Sequence, residues 1–548
     1  MLGYEQPSPV ASKPKRKSLR MSLDDPGVDK LTGLIGDSFR VRPNHDPIYV
    51  DIGGHLARLA AKQHQVIFGR RGSGKSCLLV YFHRAARRSR ETLTIYIDAD
   101  EFKTLRYPDL LIRLLLAIGD GLRAATKSPL RRLQWWRSDK LETELAALRA
   151  LLDEAEVAEV SSETSQESSS SLGAQLSAPG AAVDTSISAA GGRRVVSEFT
   201  ARKIETLQRH LPDYKNALRD TQEKSRFGHT AVIVDDFYLI PQRWQPDAVD
   251  YLHRLLRGTD LYLKLGTVRH RTELVRYDDG QTIGVEPGQD IEQMDLDQTF
   301  EDVDSTKGYL AKMLDSMGTR VGISNVSNTH LSKDGLLHLT LASGGVPRDF
   351  LTTFVEGVAA AREAGKLKWL TRTTVYKGAA RVSYRTKLSN LRDDVGGDAA
   401  SLEAIYQDLT KFCLTEKRKT AFLIEQREVQ GFRAEHELIK QLMDFKLIHV
   451  IEPDTSAASG RSGRFEAYAL DFAIFMEPRL RNIEHVEFWK VDEQGRRKGL
   501  REAPVYSLER ANHVLISDTE QATTESTIAT IQEDAGFDDS YVDEEDDE

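Results

Sequence analysis

Along the first 300 residues, short uninterrupted apolar runs alternate with longer stretches whose apolar positions recur at helical spacing. The runs at 65–68, 93–97, 231–234 and 262–267 are too short and too continuous for amphipathic helices, and predict buried strands. Residues 76–90, 110–122 and 246–257 predict the helices between them, and 49–61 predicts a further helix leading into the first strand. Arg84, Arg87, Arg88 and Arg90 gather in the last turns of 76–90, where cations complement the helix dipole, so their placement needs no ligand.

A strict three-four spacing occurs twice in the middle of the chain. Leu141, Leu145, Leu148, Leu152 and Ala155 form one seam, and Ile204, Leu207, Leu211, Tyr214 and Leu218 the other. Residues 158–193 between them are mostly Ser, Ala, Gly and Thr, with too little apolar surface to offset the entropy of ordering. The two seams predict an antiparallel helical hairpin over 137–225 with a disordered tip, its second arm kinked or interrupted at Pro212. Such a hairpin can reach a partner or lay both arms on the body of the protein.

Beyond residue 300 the spacing predicts helices at 307–316, 334–342, 348–364, 402–412 and 434–445. The last runs into a strand at 447–451, a Ser/Gly loop and a strand at 465–472, which is the order of a winged helix. Arg461 and Arg464 lie in that loop, and Arg372, Lys377, Arg381, Arg385, Lys387 and Arg392 precede the domain. The outer face of 434–445, however, carries Glu435, His436, Glu437, Lys440, Gln441 and Asp444, a net negative set that phosphates repel. DNA contact of low sequence specificity, made through phosphates, is the expectation.

Composition changes this picture in three places. At 548 residues and 40% hydrophobic content there is room for roughly three to four domains. No apolar run approaches the roughly 20 residues of a membrane span, and Lys13, Lys15, Arg16, Lys17 and Arg20 have no apolar segment behind them, so a soluble protein with a solvated basic tail over 1–30 is expected. Two cysteines, Cys77 and Cys413, make no disulfide framework and favour the reducing cytoplasm. The net charge of −9 is concentrated in 518–548, whose 13 acidic and no basic residues leave the rest at +4. That segment reads as a disordered acidic tail.

The candidate chemistry starts at 65–77, Gln-Val-Ile-Phe-Gly-Arg-Arg-Gly-Ser-Gly-Lys-Ser-Cys, which fits GxxxxGK[ST] between an apolar strand and a helix. Gly69, Gly72, Ser73, Gly74 and Cys77 complete a cradle for ATP in which glycines turn N–H groups inward and the helix start faces the anion. Lys75 would reach the β- and γ-phosphates and the Ser76 hydroxyl would hold Mg²⁺. The strand at 231–234 ends in Asp235 and Asp236, the first suited to the Mg²⁺ shell and the second to orienting or deprotonating water. Thr267, at the end of its strand, is placed to sense the γ-phosphate.

In this order the motifs GRRGSGKS, VIVDD and LKLGT, followed by DIEQMDL at 290–296 and GGVPRDF at 344–350, resemble the AAA+ ATPases, and among them the origin-recognition-complex-like branch of bacterial type. The resemblance implies an α/β fold: a P-loop AAA+ core with parallel sheet at 31–300, a helical lid at 301–370, a C-terminal winged-helix-like domain at 371–490 and a short extension at 491–517. It puts Thr267 at the sensor-1 position and Arg348 at sensor-2, on the γ-phosphate from the lid. A cation at a helix start opposes the dipole and calls for such an anion. The resemblance further implies ATP hydrolysis at a subunit interface of a homo-oligomer or with a partner protein, and an arginine supplied in trans, for which Arg254, Arg257, Arg269 and Arg271 are candidates. Two departures stand out: Asp236 replaces the family's usual Glu, and the hairpin enlarges the gap between phosphate loop and acidic strand. The Asp-Asp pair and the run Gly-Thr-Val-Arg269 look also like STAND ATPases, nucleotide-held switches with little turnover that act on protein partners.

Overall fold

The structure is a computed structural model that describes residues 22–41, 46–89, 91–126, 140–153, 184–393, 399–458, 462–475, 482–493, 495–497 and 499–517. Residues 1–21, the hairpin tip at 158–183, Arg461 and the acidic tail lie outside the described residues.

The apolar runs become strands of one sheet. In chain order these are β1 (Gln65–Phe68), β2 (Thr92–Asp98), β3 (His229–Asp235) and β4 (Leu261–Thr267). A small antiparallel hairpin, β5 (Val275–Asp278) and β6 (Gln281–Gly284), precedes the fifth strand, β7 (Glu292–Asp295). The sheet order is β2-β3-β4-β1-β7 and all its pairings are parallel. Every residue of β3 is buried, as expected of a strand covered on both faces, which is why it reads as an unbroken apolar run. Because β4 lies between β1 and β3, the phosphate loop and the acidic pair leave the same edge of the sheet with Thr267 between them.

The helix α1 (Pro26–Ser38) packs away from the sheet, which is flanked by α2 (His55–Leu59), α3 (Lys75–Ser89), α4 (Asp109–Thr126), α5 (140–153), α6 (Asp184–Glu223) and α7 (Gln245–Leu256). A helical unit follows, α8 (Val303–Arg320), α9 (Val326–Thr329), α10 (Lys333–Ala342) and α11 (Pro347–Glu363). The C-terminal part comprises α12 (Arg372–Asp393), α13 (Ala399–Thr410), β8 (Ala421–Glu425), α14 (Arg433–Asp444), β9 (Ile448–Thr455) and β10 (Phe465–Leu470), with antiparallel strand order β8-β10-β9. The sequence pattern did not reveal β8. No described helix is long and apolar enough to cross a membrane.

Four expectations are corrected. The tail expected over 1–30 is ordered from Ser22, because Asp25 caps α1 through Gly27 N, Pro26 opens it and Asp29 sits in its first turn. Leu23, Val28, Leu31 and Ile35 are buried in one cluster with α8 and α11, and Arg362 bonds the Leu23 carbonyl and pairs with Asp29. The helix expected at 49–61 is only α2, since Gly53 and Gly54 at φ 75° and 70° break the backbone before it and the Asp51 carboxylate accepts from His55 N. The helix α6 runs through Pro212 without interruption and starts at Asp184, inside the expected disordered tip. Extending a helix already held by packing costs far less than nucleating one.

Both hairpin arms lie on the parallel-sheet core rather than projecting from it. Leu141, Leu145, Leu148 and Leu152 from one arm and Leu207, Tyr214 and Leu218 from the other share a single buried cluster with α4 and α7. A Cβ on Gly119 would come 2.5 Å from Leu145 Cδ2, so a larger residue there would have to displace the end of that leucine. Lys203 pairs with Asp109 at 2.6 Å, and the Tyr251 hydroxyl donates to Leu207 O at 2.9 Å. Leu145→Ala should therefore destabilise the protein by about 2–5 kcal/mol, measured by urea unfolding with an unchanged m-value. A cost under about 0.5 kcal/mol, the usual size for a surface position, would show that this arm is not seated on the core.

Candidate functional site

At the end of β1, Gly69 N donates to Thr267 O at 3.2 Å, and the loop then turns through Gly72 and Gly74 at φ 88° and 99° before α3 begins at Lys75. Side chains rarely adopt those angles, which is why glycine recurs there. Gly72 has a second reason: a Cβ on it would lie 2.8 Å from Arg348 Cβ, and Arg348 N donates to Gly72 O at 3.2 Å. The start of α11 thus rests directly on the loop.

Within the loop, Lys75 is buried, and its Nζ donates to Gly69 O at 2.6 Å and Arg70 O at 3.2 Å. Burial lowers its pKa, opposed by the nearby Asp236 and Asp235 charges. Ser73 Oγ is buried with no hydrogen-bond partner. An enclosed ammonium held by two carbonyls and an orphaned hydroxyl in one loop fit an anion that bonds both.

Below the loop, the Asp235 carboxylate accepts from the Tyr96 hydroxyl at 2.6 Å, from Asp236 N at 2.9 Å and from Ser76. Burial raises its pKa against these bonds. Asp236 has φ 51° and ψ 38°, a left-handed conformation that costs a non-glycine residue about 1–2 kcal/mol, and such strain tends to mark working residues. Burial and the adjacent Asp235 charge push its pKa up to about 6.

A cavity of about 700 Å³ opens above these groups, between the loop, residues 37–41 and 46–50, and helices α8 and α11. Its size is that of a small-molecule site. Phe39, Ile48, Tyr49, Tyr309, Met313 and Leu351 line the apolar end; Lys75, Ser76, Asp236 and Arg348 line the polar one. Gly72, Gly74 and Cys77 also reach it. Cys77 Sγ donates to Ile48 O at 3.3 Å, and burial pushes its thiol up to about 12, so it is an inert wall. Gly69, Ser73, Asp235 and Thr267 stand behind the lining. The Thr267 hydroxyl bonds Thr272 Oγ1 at 2.5 Å, within the turn that follows β4. Arg348 is exposed and makes one long contact, to Phe39 O at 3.4 Å.

Sequence reasoning missed the Tyr96 hydroxyl, Tyr238 and the aromatic and methionine residues of α8, which no motif signals. Residues 37–41 could have been found from the Asp-Pro helix start that places them. The four arginines proposed to act on a neighbour are now distinguishable. Arg254 pairs with Asp250 at 2.8 Å; Arg269 lies over the Phe68 ring at 4.1 Å and pairs with Asp295 at 3.0 Å. Arg257 is exposed at the end of α7, whereas Arg271 lies 5.2 Å from the Tyr238 ring, beside the cavity.

The C-terminal part docks on this site. From the phosphate loop, Arg70 N donates to Asp297 Oδ1 at 2.8 Å and its guanidinium to Gln298 O at 2.9 Å and Gly344 O at 3.3 Å. Lys446 pairs with Asp349, the neighbour of Arg348, at 2.9 Å. Glu437 bonds His270 at 2.8 Å, and Asp444 is half-buried near His270 and Arg70. The face of α14 expected to meet solvent is thus partly turned to the core. Much of the expected basic surface is also neutralised: Lys387 is buried with Asp471 at 2.7 Å, Arg392 pairs with Glu403 at 2.6 Å and Arg464 pairs with Asp454. Arg372 and Lys377 remain exposed.

No family model matches the sequence, and no curated protein does. Among solved structures, the Aeropyrum pernix ORC1 protein in complex with DNA is 12% identical with a TM-score of 0.31, over 81% of this chain and 88% of that one. Drosophila ORC bound to DNA is 12% identical, TM-score 0.33, over 86% and 94%. The Aeropyrum pernix ORC2 protein, in ADPNP and ADP complexes, is 12% identical, TM-score 0.34, over 81% and 89%. At overlaps this low, the sheet order and the site residues of this chain carry the reading.

Folded Asp236 keeps its proton to about pH 6, against an ordinary value of 3.8. The folded state therefore binds more protons between those values, and stability falls as pH rises across that window, then levels. Asp236→Asn removes the titration. In nucleotide-free melts its gain over the wild type should be absent near the lower value and complete by neutral pH; an equal margin throughout would eliminate the shifted carboxylate.

Proposed function

We propose that this chain is an AAA+ ATPase that binds Mg-ATP between its parallel-sheet core and its helical lid, and couples nucleotide state to DNA or a partner protein through a C-terminal winged-helix-like domain. The carrying observation is the cavity itself, which gathers Lys75, Ser76, Asp236 and Arg348 from three separate stretches of chain at one end of the sheet. Lys75 neutralises phosphate, and the unpartnered Ser73 hydroxyl has the matching vacancy for it. Ser76 and Asp235, already hydrogen-bonded to each other, are the pair to hold Mg²⁺, with phosphate and water completing its shell. Bound Mg²⁺ would neutralise the terminal phosphates and align them for attack by water. Asp236, ionised above about pH 6, is a base matched to neutral pH. Arg348 brings the lid onto the same anion, and Phe39, Ile48 and Tyr49 enclose the base.

A second reading, a STAND-like switch acting on proteins with little turnover, draws support from the docking of α14 and from the pairing of Arg464 with Asp454. Both readings share the nucleotide site. Lys75→Ala should abolish ATP binding in calorimetry, while Asp236→Asn should keep the affinity and slow any phosphate release by about 100-fold or more; unchanged affinity in the lysine variant would end both readings.

DNA separates them. With α14 engaged on the core, binding should rest on phosphate contacts, vary little among unrelated duplexes and weaken steeply with salt, log affinity falling by about 0.9 per log salt for each phosphate neutralised. Removing 518–548 should tighten it, because 13 acidic groups no longer compete for the basic surface. No binding by the tail-less protein at low salt would favour the protein-directed switch.

A further inference from the structure

We propose that Arg71, the second arginine of the phosphate loop, contacts the terminal phosphate of a nucleotide bound in its own chain, with Tyr238 holding it there. The inference rests on the nucleotide reading above and concerns how that site is finished.

Tyr238 follows the acidic pair by two residues, in the short turn Phe237–Leu239 that the left-handed Asp236 starts. It lines the cavity together with Asp236 and Arg71. Two guanidinium groups contact its ring: Arg71 at 5.5 Å from the loop after β1, and Arg271 at 5.2 Å from the turn after β4. Both arginines leave the same end of adjacent parallel strands, the end at which Lys75 and the acidic pair stand. The stack therefore joins three neighbouring strand ends at the cavity wall.

That arrangement suits a phosphate for a specific reason. Arg71 hydrogen-bonds the Tyr238 side chain, and a guanidinium carries five N–H donors in a fixed fork, so others remain for an anion. The ring fixes a long side chain that would otherwise lose rotamer entropy on binding. The electrostatics agree. Tyr238 has its pKa raised by burial and by Asp236, with the Arg71 and Arg271 charges opposing, and Arg71 likewise opposes the rise at Asp236. The wall beside Asp236, where terminal-phosphate charge would gather, already holds Arg71.

The test compares ATP with ADP, since only ATP carries the group that Arg71 would contact. Affinities of the full-length wild type, Arg71→Ala, Tyr238→Leu and Tyr238→Phe are measured by calorimetry with Mg²⁺. Arg71→Ala should weaken ATP about tenfold or more, the worth of one charge-assisted hydrogen bond, while ADP changes less than about twofold. Tyr238→Leu should reproduce that selective loss, and Tyr238→Phe, which removes only the hydroxyl, should lose a smaller share of the ATP preference; a merely structural role would move both nucleotides together. Mixing Arg71→Ala with Lys75→Ala, whose own arginine is intact but whose site is empty, should restore no phosphate release. Recovery on mixing, or equal losses for ATP and ADP, would overturn the inference while leaving the nucleotide reading intact. A wild type that binds neither nucleotide would overturn both.

Discussion

A buried ammonium sets the terms for the rest of this molecule. Lys75 sits under the turn of the loop with only the Gly69 and Arg70 carbonyls within hydrogen-bond reach of its Nζ, and enclosing a cation costs several kcal/mol unless opposite charge compensates it. Compensation comes from one side through Asp235 and Asp236: burial pulls the lysine down and pushes the carboxylates up, and their opposite charges act against both shifts.

Everything packed around the loop keeps that site from relaxing. The glycine at 72 lets the start of α11 touch the loop, the Arg70 guanidinium reaches the turn at Gly344, and Gly344, at φ 59°, leaves space for the His449 ring of β9. His449 in turn bonds Asp471, which also holds the buried Lys387. A chain of direct contacts therefore runs from the phosphate loop through the helical unit into the C-terminal sheet. The polar face of α14 is engaged at Glu437 by His270, three residues beyond Thr267, so this helix is tied to the turn that follows β4.

What the sequence determined by itself is whatever rests on local chemistry. The apolar runs of β1 and β3 are legible because a strand covered on both faces has no polar side to show, and β4 reads the same way apart from Lys264, which is buried and donates to Ala61 O, Gln63 O and Gln65 Oε1. The loop at 69–76 is legible because anion binding by backbone N–H groups demands glycine at set spacing, and the acidic pair because it ends a buried strand. The seams of α5 and α6 were legible as helices for the same reason: three-four spacing is a property of one helix.

Tertiary structure decided which surfaces meet. Nothing in the spacing of Leu145 says whether it faces a partner or Gly119 of α4, and nothing local says that Glu437 and Asp444 meet His270, since a charged face looks alike in water and across from His270. The strand β8 escaped notice because five residues carry too short a pattern, and its strand identity comes from pairing with β10. The start of α1 was marked by Asp25 and Pro26, yet its burial depends on α8 and α11, hundreds of residues away. Likewise, the placement of Arg71 and Arg271 about one tyrosine depends on the sheet order that sets β4 between β1 and β3, because contacts between distant residues follow from where strands lie and not from what surrounds each residue along the chain.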